Sequence, residues 1–298
     1  MPAHPQQKTR PSVLARRQAR WGWVFAAPAV VLFAIFFIYP LIASAIQSFF
    51  QSRGGVNIFV GLANYQRMAN DPLAWRSLGN ALLLLIVQVP LMVVLALGLA
   101  LLLNQSWLRF KTSFRVIHFL PAVTTLVAYS LVFRLMMQTD GGVLNQILEL
   151  FGAGPIDWLN DPIWARISLI ASITWRWTGY NMVLVLAGLQ GIPVEQYESA
   201  EVDGASGWQT FRHVVVPGVR PVLVFIAITS TIGTLQLFDE NFVLTGGGPA
   251  NATLTPVLYL YRIGFRQFEF GYASALAWLL VLVIGVLSVI QLFLTREK

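Results

Sequence analysis

Polar and aromatic side chains recur within two otherwise apolar segments of the chain. The first reads Trp-Arg-Trp-Thr-Gly-Tyr-Asn over residues 175–181, and the second carries Ser230, Thr234 and Gln236. Aromatic rings can stack on the apolar faces of sugars, and amide and hydroxyl groups bond to hydroxyl-rich solutes. These residue types therefore predict a passage for a neutral, hydroxylated molecule. Helix packing and bonds between neighbouring helices remain the alternative for each residue, because membrane helices use the same groups for both.

Arg176 places a cation inside the first of these segments. A charged side chain within the membrane is costly, so such a residue is usually paired or functional. Asp239 or Glu240, near the end of the second segment, could pair with Arg176. The pair would form either a gate or a structural clasp, and the sequence leaves both roles open.

The chain offers no pattern for metal or nucleotide chemistry. It has no cysteine, its three histidines are scattered, and no Gly-x-x-x-x-Gly-Lys-Ser/Thr sequence occurs. Clustered thiols or imidazoles hold zinc, and that glycine-rich loop cradles phosphates. We therefore expect no catalytic residue, no metal site and no cofactor on this chain, so that it is not itself an enzyme.

Composition predicts an integral membrane protein built only of helices. Hydrophobic residues make up 56% of the chain and charged residues 11%, and the mean hydropathy is +0.66. A bilayer core needs roughly 20 apolar residues in a helix. Six stretches qualify as transmembrane helices within one domain, residues 23–298: 23–46, 78–103, 116–137, 163–189, 222–244 and 272–294.

Charges in the loops predict the orientation of these helices. The tail of residues 1–22 carries five cations and no acid, and loop 104–115 carries three cations and no acid, whereas loop 139–162 carries only acids. Because cytoplasmic loops are enriched in Lys and Arg, the tail, loop 104–115 and both termini should be cytoplasmic. The basic tail thus sets topology beside the lipid bilayer and does not indicate nucleic-acid binding. Asp71-Pro72 and Asp161-Pro162 predict helix starts at the opposite surface.

The polar loop 191–220 should be cytoplasmic and should contain two short helices. The first follows Pro193 and is broken by Gly204. The second begins with a capping box of Ser206 and Gln209 and ends before Pro217. Ala200 and Gly204, four residues apart, would leave a smooth face for another protein. A solvated connector remains the alternative on composition alone.

Two motifs in this half of the chain resemble those of a known family. Glu198-Ser199-Ala200, followed by Gly204, Val214 and Pro217 at fixed spacing, resembles the EAA signature of ABC importer permeases. Ser199 and Val214 stand where the signature usually has Ala and Ile. The stretch 238–249, Phe-Asp-Glu-Asn-Phe-Val-Leu-Thr-Gly-Gly-Gly-Pro, is similar to the end of the fifth span in the sugar-importing branch. The likeness extends from the first span onward and is greatest to lactose and oligosaccharide permeases.

This resemblance implies the type I importer permease fold, in the bacterial cytoplasmic membrane. It implies that the loop holds the coupling helices, which dock onto two ATPase subunits where ATP and Mg bind, and that a second permease and an external sugar-binding protein complete the importer. The implied ATPase-coupling residues are Glu198, Ser199, Ala200, Asp203, Gly204 and Pro217. The implied substrate path, combined with the polar residues above, comprises Trp175, Thr178, Gly179, Asn181, Met182, Ser230, Gly233, Thr234, Gln236 and Leu237.

An ion-coupled sugar carrier is the main alternative to an ATP-driven importer. Such carriers place carboxylates near the middle of the membrane, where they bind the coupling ion. None of the six predicted spans carries an acid at its centre. The sequence therefore favours the importer, and it does not name the sugar.

Overall fold

The chain folds almost entirely into helices, and the computed structural model describes residues 13–53 and 56–295. Most of the predicted basic tail and the C-terminal cations lie outside the described residues. Two short strands, β1 (Phe50–Arg53) and β2 (Val56–Phe59), pair antiparallel. The described helices are α1 (Val13–Phe33), α2 (Tyr39–Gln47), α3 (Ala63–Ala69), α4 (Pro72–Asn104), α5 (Lys111–Val123), α6 (Leu126–Met136), α7 (Val143–Leu150), α8 (Pro162–Gln190), α9 (Val194–Val202), α10 (Gly207–Thr210), α11 (Val216–Leu235), α12 (Asp239–Leu244), α13 (Pro256–Tyr261) and α14 (Phe270–Thr295).

Four continuous helices in the described part of the chain are long and apolar enough to cross a membrane. They are Trp21–Gln47, Pro72–Asn104, Gly207–Leu235 and Phe270–Leu294. A fifth candidate is the pair α5 and α6, bent by 99° at their junction. The predicted span 163–189 corresponds to α8, which has 29 residues and is long enough, at about 1.5 Å per residue, to cross a bilayer. Helix α8 is less apolar than the four because it contains many polar residues. Many of these face the protein interior.

Both predicted Asp-Pro helix starts are confirmed. The Asp71 carboxylate accepts hydrogen bonds from the backbone N–H groups of Leu73 and Ala74, at the start of α4. The Asp161 carboxylate does the same at the start of α8, with distances of 2.8 and 3.0 Å. Each proline occupies the first helical position, where its missing N–H costs nothing. These starts lead directly into long helices, so α4 begins six residues before the predicted span.

The prediction of an unbroken span over 116–137 is wrong. Helix α5 ends at Val123, Thr124 is extended, and the Thr125 side chain caps α6 by accepting from Ala128 N. Pro121 lies within α5 and lacks the N–H that would continue the hydrogen-bond ladder. The break leaves backbone carbonyls without helical partners inside the bundle.

The fifth predicted span, 222–244, also differs from the structure at both ends. Helix α11 ends at Leu235, and residues 239–244 form the separate helix α12. At its other end, the polar loop's second helix does not stop before Pro217. The chain passes from α10 through a π-helical segment (Phe211–Val215) into α11 as one continuous helix. The ladder shifts so that Val216 N bonds Phe211 O, which accommodates the proline that follows.

Helix α8 packs at the centre of the bundle against α4 and α11. Small and branched side chains, including Ala96, Ala100 and Val219, bring the three helices together and are fully buried. Gly188 lies directly against Val222, which fixes α8 close to α11. By contrast, none of the apolar window of the first span is buried within this chain. That span packs mainly through α2, against α14.

A polar cluster joins the start of α4 to α13 and α14. The Tyr259 and Tyr272 hydroxyls each donate to one Asp71 carboxylate oxygen at 2.5 Å. Arg67 lies 4.0 Å from the centre of the Tyr272 ring and forms an ion pair with Glu269. Burial opposes ionisation of Asp71, but the tyrosine and backbone hydrogen bonds outweigh it and hold the pKa of Asp71 below its ordinary value.

We expect Asp71→Asn to lower the thermal midpoint of the protein and to reduce the fall of that midpoint between pH 7 and pH 3. Because the folded-state pKa is depressed, the stabilisation exists above the unfolded pKa and is lost as pH falls through the folded pKa. Asparagine keeps the helix cap but cannot accept both tyrosine bonds as an anion. Thermal midpoints in detergent from pH 7 to pH 3 measure this. Asp161→Asn is the matched control, and an equal acid slope in both variants would contradict the prediction.

Candidate functional site: a polar cavity and an exposed loop

A cavity of about 430 Å³ lies among α4, α8, α11 and α12. Its wall combines aromatic rings, amides, hydroxyls and carboxylates with apolar side chains. This is the composition of a pocket that orients a ligand through a few polar groups. The lining residues are Gln88, Met92, Leu126, Ile173, Trp177, Tyr180, Asn181, Thr229, Ser230, Gly233, Thr234, Gln236, Leu237, Phe238, Asp239 and Glu240.

Helical spacing and one break in the helix bring these residues together. Helix α8 contributes Ile173, Trp177 and Tyr180, which are spaced four and three residues apart and so share one face. Helix α11 contributes its last turns, ending at the Gln236 cap. The chain then turns, so the first residues of α12 also face the cavity. The break after Leu235 is therefore what places carboxylates in this wall.

Polar side chains in the wall bond across the helices. The Thr234 hydroxyl donates to the Gln88 side-chain oxygen at 3.0 Å, joining α11 to α4. The Gln88 and Asn181 amides both donate to the sulfur of Met92, at 3.4 and 3.2 Å. Gln88 and Asn181 are almost fully buried. These bonds satisfy polar groups that would otherwise be costly inside a membrane bundle.

Six of the ten residues in the implied substrate path line this cavity: Asn181, Ser230, Gly233, Thr234, Gln236 and Leu237. The structure places the other four away from it. The Thr178 hydroxyl donates to Thr174 O within α8, and Met182 is fully buried in the core with α4 and α11. Trp175 packs against Tyr129 and Phe133 of α6. These four positions therefore do not line this cavity, and their contact with a solute stays a prediction.

Gly179, the fourth of these residues, allows α5 to approach α8. A β-carbon at this position would lie 1.6 Å from His118 O, well inside contact distance. We expect Gly179→Ala to separate the two helices and to lower the thermal midpoint of the purified protein, because backbone cannot move aside as a flexible side chain can. Gly233→Ala is the matched control, since nothing lies within 4 Å of its added β-carbon. Equal midpoints for the two variants would contradict this role.

Arg176 supports the broken helix and does not form the expected ion pair. Its Nη2 donates to Thr124 O at 2.8 Å and Ala122 O at 3.3 Å, the carbonyls freed between α5 and α6. The guanidinium lies 4.5 Å from the centre of the Tyr129 ring. Among the described residues no carboxylate lies within 4.0 Å of it, although Glu240 is within electrostatic range. The structure therefore favours a clasp, with its direct bonds made to backbone.

The sequence interpretation missed several lining residues. Gln88 and Trp177 are not among the residues predicted for the path, and the sequence predicts Asp239 and Glu240 only as partners of Arg176. An amide in the middle of an apolar span is a usable signal, since such groups are seldom placed there without a partner. The carboxylates gave no comparable signal, because their approach to the cavity depends on the break after Leu235.

The motif over 238–249 folds into a hydrogen-bonded loop behind these carboxylates. The fully buried Asn241 amide donates to Thr253 O at 2.6 Å and to the Thr255 hydroxyl at 3.1 Å. The Asn80 amide of α4 donates to Asn251 O and Leu254 O, and Arg262 donates to Gly246 O. These bonds hold α12 in place, so the motif positions the α12 residues that line the cavity.

The loop after α8 contains the predicted first helix, α9, and its predicted glycine terminator. Gly204 has φ +70°, in the left-handed region that favours glycine. Gly204 N bonds Glu201 O and Ala205 N bonds Ala200 O, which is the Schellman arrangement. Gly204 thus lies outside the helix and does not extend its face as predicted. The Ser206–Gln209 capping box is confirmed at the start of α10.

Five of the six predicted coupling residues lie on the outer part of this loop, and Pro217 lies at the start of α11. Ser199, Ala200 and Asp203 line a cleft of about 480 Å³ between α9 and the helix that follows. Glu198, Gly204 and Pro217 are exposed. The base of the loop is fixed to the bundle, because Tyr197 packs on the core between α8 and α11. Burial accordingly raises the pKa of the Tyr197 hydroxyl.

Long apolar helices that surround a polar cavity, with a folded loop at the end of the bundle, define a multi-pass membrane protein. The chain belongs to the family described as binding-protein-dependent transport system inner membrane components, whose family model matches residues 92–297.

Two curated relatives cover nearly the whole chain. It is 46% identical over 281 residues to the lactose transport system permease protein LacF of Rhizobium radiobacter, covering 93% of this chain and 94% of that one. It is 35% identical over 294 residues to the arabinooligosaccharides transport system permease protein AraP of Halalkalibacterium halodurans, with coverage of 98% and 93%. A bacterial ABC transporter involved in importing the acidic polysaccharide alginate shares the fold, with TM-score 0.83, 22% identity and coverage of 94% and 97%.

Proposed function

We propose that this chain is a permease subunit of an ATP-driven importer that moves a disaccharide or oligosaccharide into the cytoplasm by alternating access. The observation that carries the proposal is the continuous helix Gly207–Leu235. It begins in the loop that would contact an ATPase and ends in the cavity wall at Ser230, Gly233 and Thr234. A displacement of the loop would therefore move that wall through one continuous helix.

The proposed partners follow from what this chain leaves incomplete. The first span is unburied within the chain, and only part of a passage is built here, so a second permease would complete it. ATP and Mg would bind two ATPase subunits docked on the exposed α9–α10 loop. An external binding protein would deliver the sugar, which agrees with the family's description and with a related complex containing a periplasmic protein. The loop and both termini would then lie in the cytoplasm.

The nature of the wall supports a sugar as cargo. Trp177 and Tyr180 supply ring faces, and Asn181, Ser230 and Gln236 supply amide and hydroxyl groups. The relatives named for lactose and arabinooligosaccharide transport agree with this class of solute.

An ion-coupled carrier is the second candidate, and one observation favours it. Glu240 is almost fully buried beside the cavity, where a coupling ion or proton could bind. The sequence argument against a carrier is that no predicted span has an acid at its centre. The structure nevertheless places Glu240 in the cavity wall. The importer remains the stronger proposal, because an ion-coupled carrier gives no role to the exposed signature loop.

Copurification followed by reconstitution tests the two candidates. The tagged chain is isolated gently from native membranes, and the proteins recovered with it are identified by mass spectrometry. We expect a second permease, an ATPase and a sugar-binding protein, and uptake in proteoliposomes that requires internal ATP. Recovery of this chain alone, with uptake driven by a proton or sodium gradient, would support the carrier and reject the importer.

A further inference from the structure

The charged residues that line the cavity all carry the same sign. The charged residues in its lining are Asp239 and Glu240, and the lining includes no Lys, Arg or His. Both carboxylates sit in the first turn of α12, beside the end of α11. The end of α11 carries partial negative charge and the start of α12 carries partial positive charge, so the two helix ends offset each other and the carboxylates determine the sign. The potential in the cavity should therefore be negative.

Nearby cations do not neutralise both carboxylates. Arg176 is within electrostatic range of Glu240, but its hydrogen bonds are made to Thr124 O and Ala122 O. Arg134 donates to Val243 O at the far end of α12. Among the described residues, no cation lies within 4.0 Å of the Asp239 carboxylate. One negative charge therefore remains without a close counter-charge, within walls of low dielectric constant where charges act strongly.

We propose that Asp239, with Glu240, makes this cavity selective against anionic sugars, so that its substrate class is neutral or cationic. This inference rests on the proposed transport function and narrows it. A carboxylate also accepts hydrogen bonds from neighbouring hydroxyls of a sugar while Trp177 or Tyr180 covers its ring face. An importer of an acidic polysaccharide shares this fold, so the fold itself does not set the charge of the cargo.

The absence of cysteine from the chain allows a direct measurement of this potential. Ser230→Cys would place the chain's single thiol in the cavity wall. In the purified complex it is treated with three methanethiosulfonate reagents of similar size, carrying trimethylammonium, sulfonate or hydroxyl groups. Modification of this chain is followed by intact mass. Rates are divided by those of a free thiol, and the ratio of cation to anion cancels any change in thiol reactivity that affects both reagents equally.

We expect the cationic reagent to react about ten-fold faster than the anionic one after this correction. Asp239→Asn, which preserves the shape of the side chain, should reduce the ratio by about three-fold or more. Asp140→Asn removes the same charge from an exposed loop away from the cavity and should leave the ratio unchanged. Equal size-exclusion profiles check that the variants are folded.

A corrected ratio near one, unaffected by Asp239→Asn, would overturn the proposal. Thr229→Cys provides a second reporter at a more exposed position in the same wall. Failure of every reagent to modify either thiol would also overturn it, because the cavity would then admit no solute. The measurement requires neither ATP nor a transported sugar. Loss of charge selectivity is therefore distinguishable from failure of the proposed importer function in the reconstitution experiment.

Discussion

Replacing Arg176 with methionine should severely destabilise the folded protein. The two carbonyls at the break between α5 and α6 would lose their donor, in a bundle where water cannot replace it. Each of the two buried carbonyls left without a donor costs about 1–3 kcal/mol. We expect a loss of several kcal/mol in total, seen as a large fall in thermal midpoint and in the yield of monodisperse protein.

Two further variants separate the possible causes of this loss. Arg166→Met removes another arginine of α8, whose Nε donates to Ala252 O, and should have a smaller effect because Arg166 is only part-buried. Combining Arg176→Met with Glu240→Gln removes both charges and should recover part of the stability if the two residues interact electrostatically. A thermal midpoint unchanged by Arg176→Met would contradict the clasp.

The sequence predicted the starts of the helices well where local chemistry determines them. Asp71 and Asp161 cap their helices through their own side chains and the following proline, and Ser206 with Gln209 forms a closed pair. Gly204 ends α9 because its backbone conformation disfavours other residues. Each of these signals is contained within four or five residues, so no knowledge of packing was needed.

The interruptions of the helices could not be predicted in the same way. Residues 116–137 are apolar on both sides of Thr124, and the break persists because Arg176, over fifty residues later, satisfies its carbonyls. The turn after Leu235 likewise depends on Thr255, whose hydroxyl donates to Leu237 O. Conversely, Pro217 suggests a helix end, but the π-helical segment before it allows the helix to continue past the proline. Long-range hydrogen bonds decide the first two cases and leave no local pattern, whereas the third depends on a local shift of the backbone hydrogen bonds.

The substrate path shows the same limit at the level of single side chains. Thr178 and Asn181 are both polar and only three residues apart, yet one bonds within its own helix and the other lines the cavity. Residue type establishes that α8 has a polar interior. Which face meets the cavity depends on the packing of α4, α5 and α11 around it, including the contact of Gly179 with His118 O.

Gly204→Trp should abolish ATP-driven uptake while leaving membrane insertion intact. Gly204 ends α9 in a left-handed conformation, and among the described residues beyond its chain neighbours no atom lies within 4 Å of an added β-carbon. The substitution therefore adds backbone strain of about 1–3 kcal/mol, while its β-carbon has open space among the described residues. It also places a large ring on the surface proposed to dock an ATPase. Glu198→Lys reverses an exposed charge on α9, in the same loop, and should act likewise.

A control substitution at Gly152 distinguishes backbone strain from lost docking as the cause of the Gly204→Trp effect. Gly152 ends α7 with φ +74° and the same pair of backbone bonds, from Gly152 N to Glu149 O and from Ala153 N to Leu148 O. Its added β-carbon would also meet nothing within 4 Å. Gly152→Trp therefore carries equal strain at a surface away from the signature loop. Pull-down of the ATPase by the tagged chain should fail for Gly204→Trp and persist for Gly152→Trp. Retention by both would show that the loop does not dock the ATPase through this turn, and loss by both would assign the effect to strain.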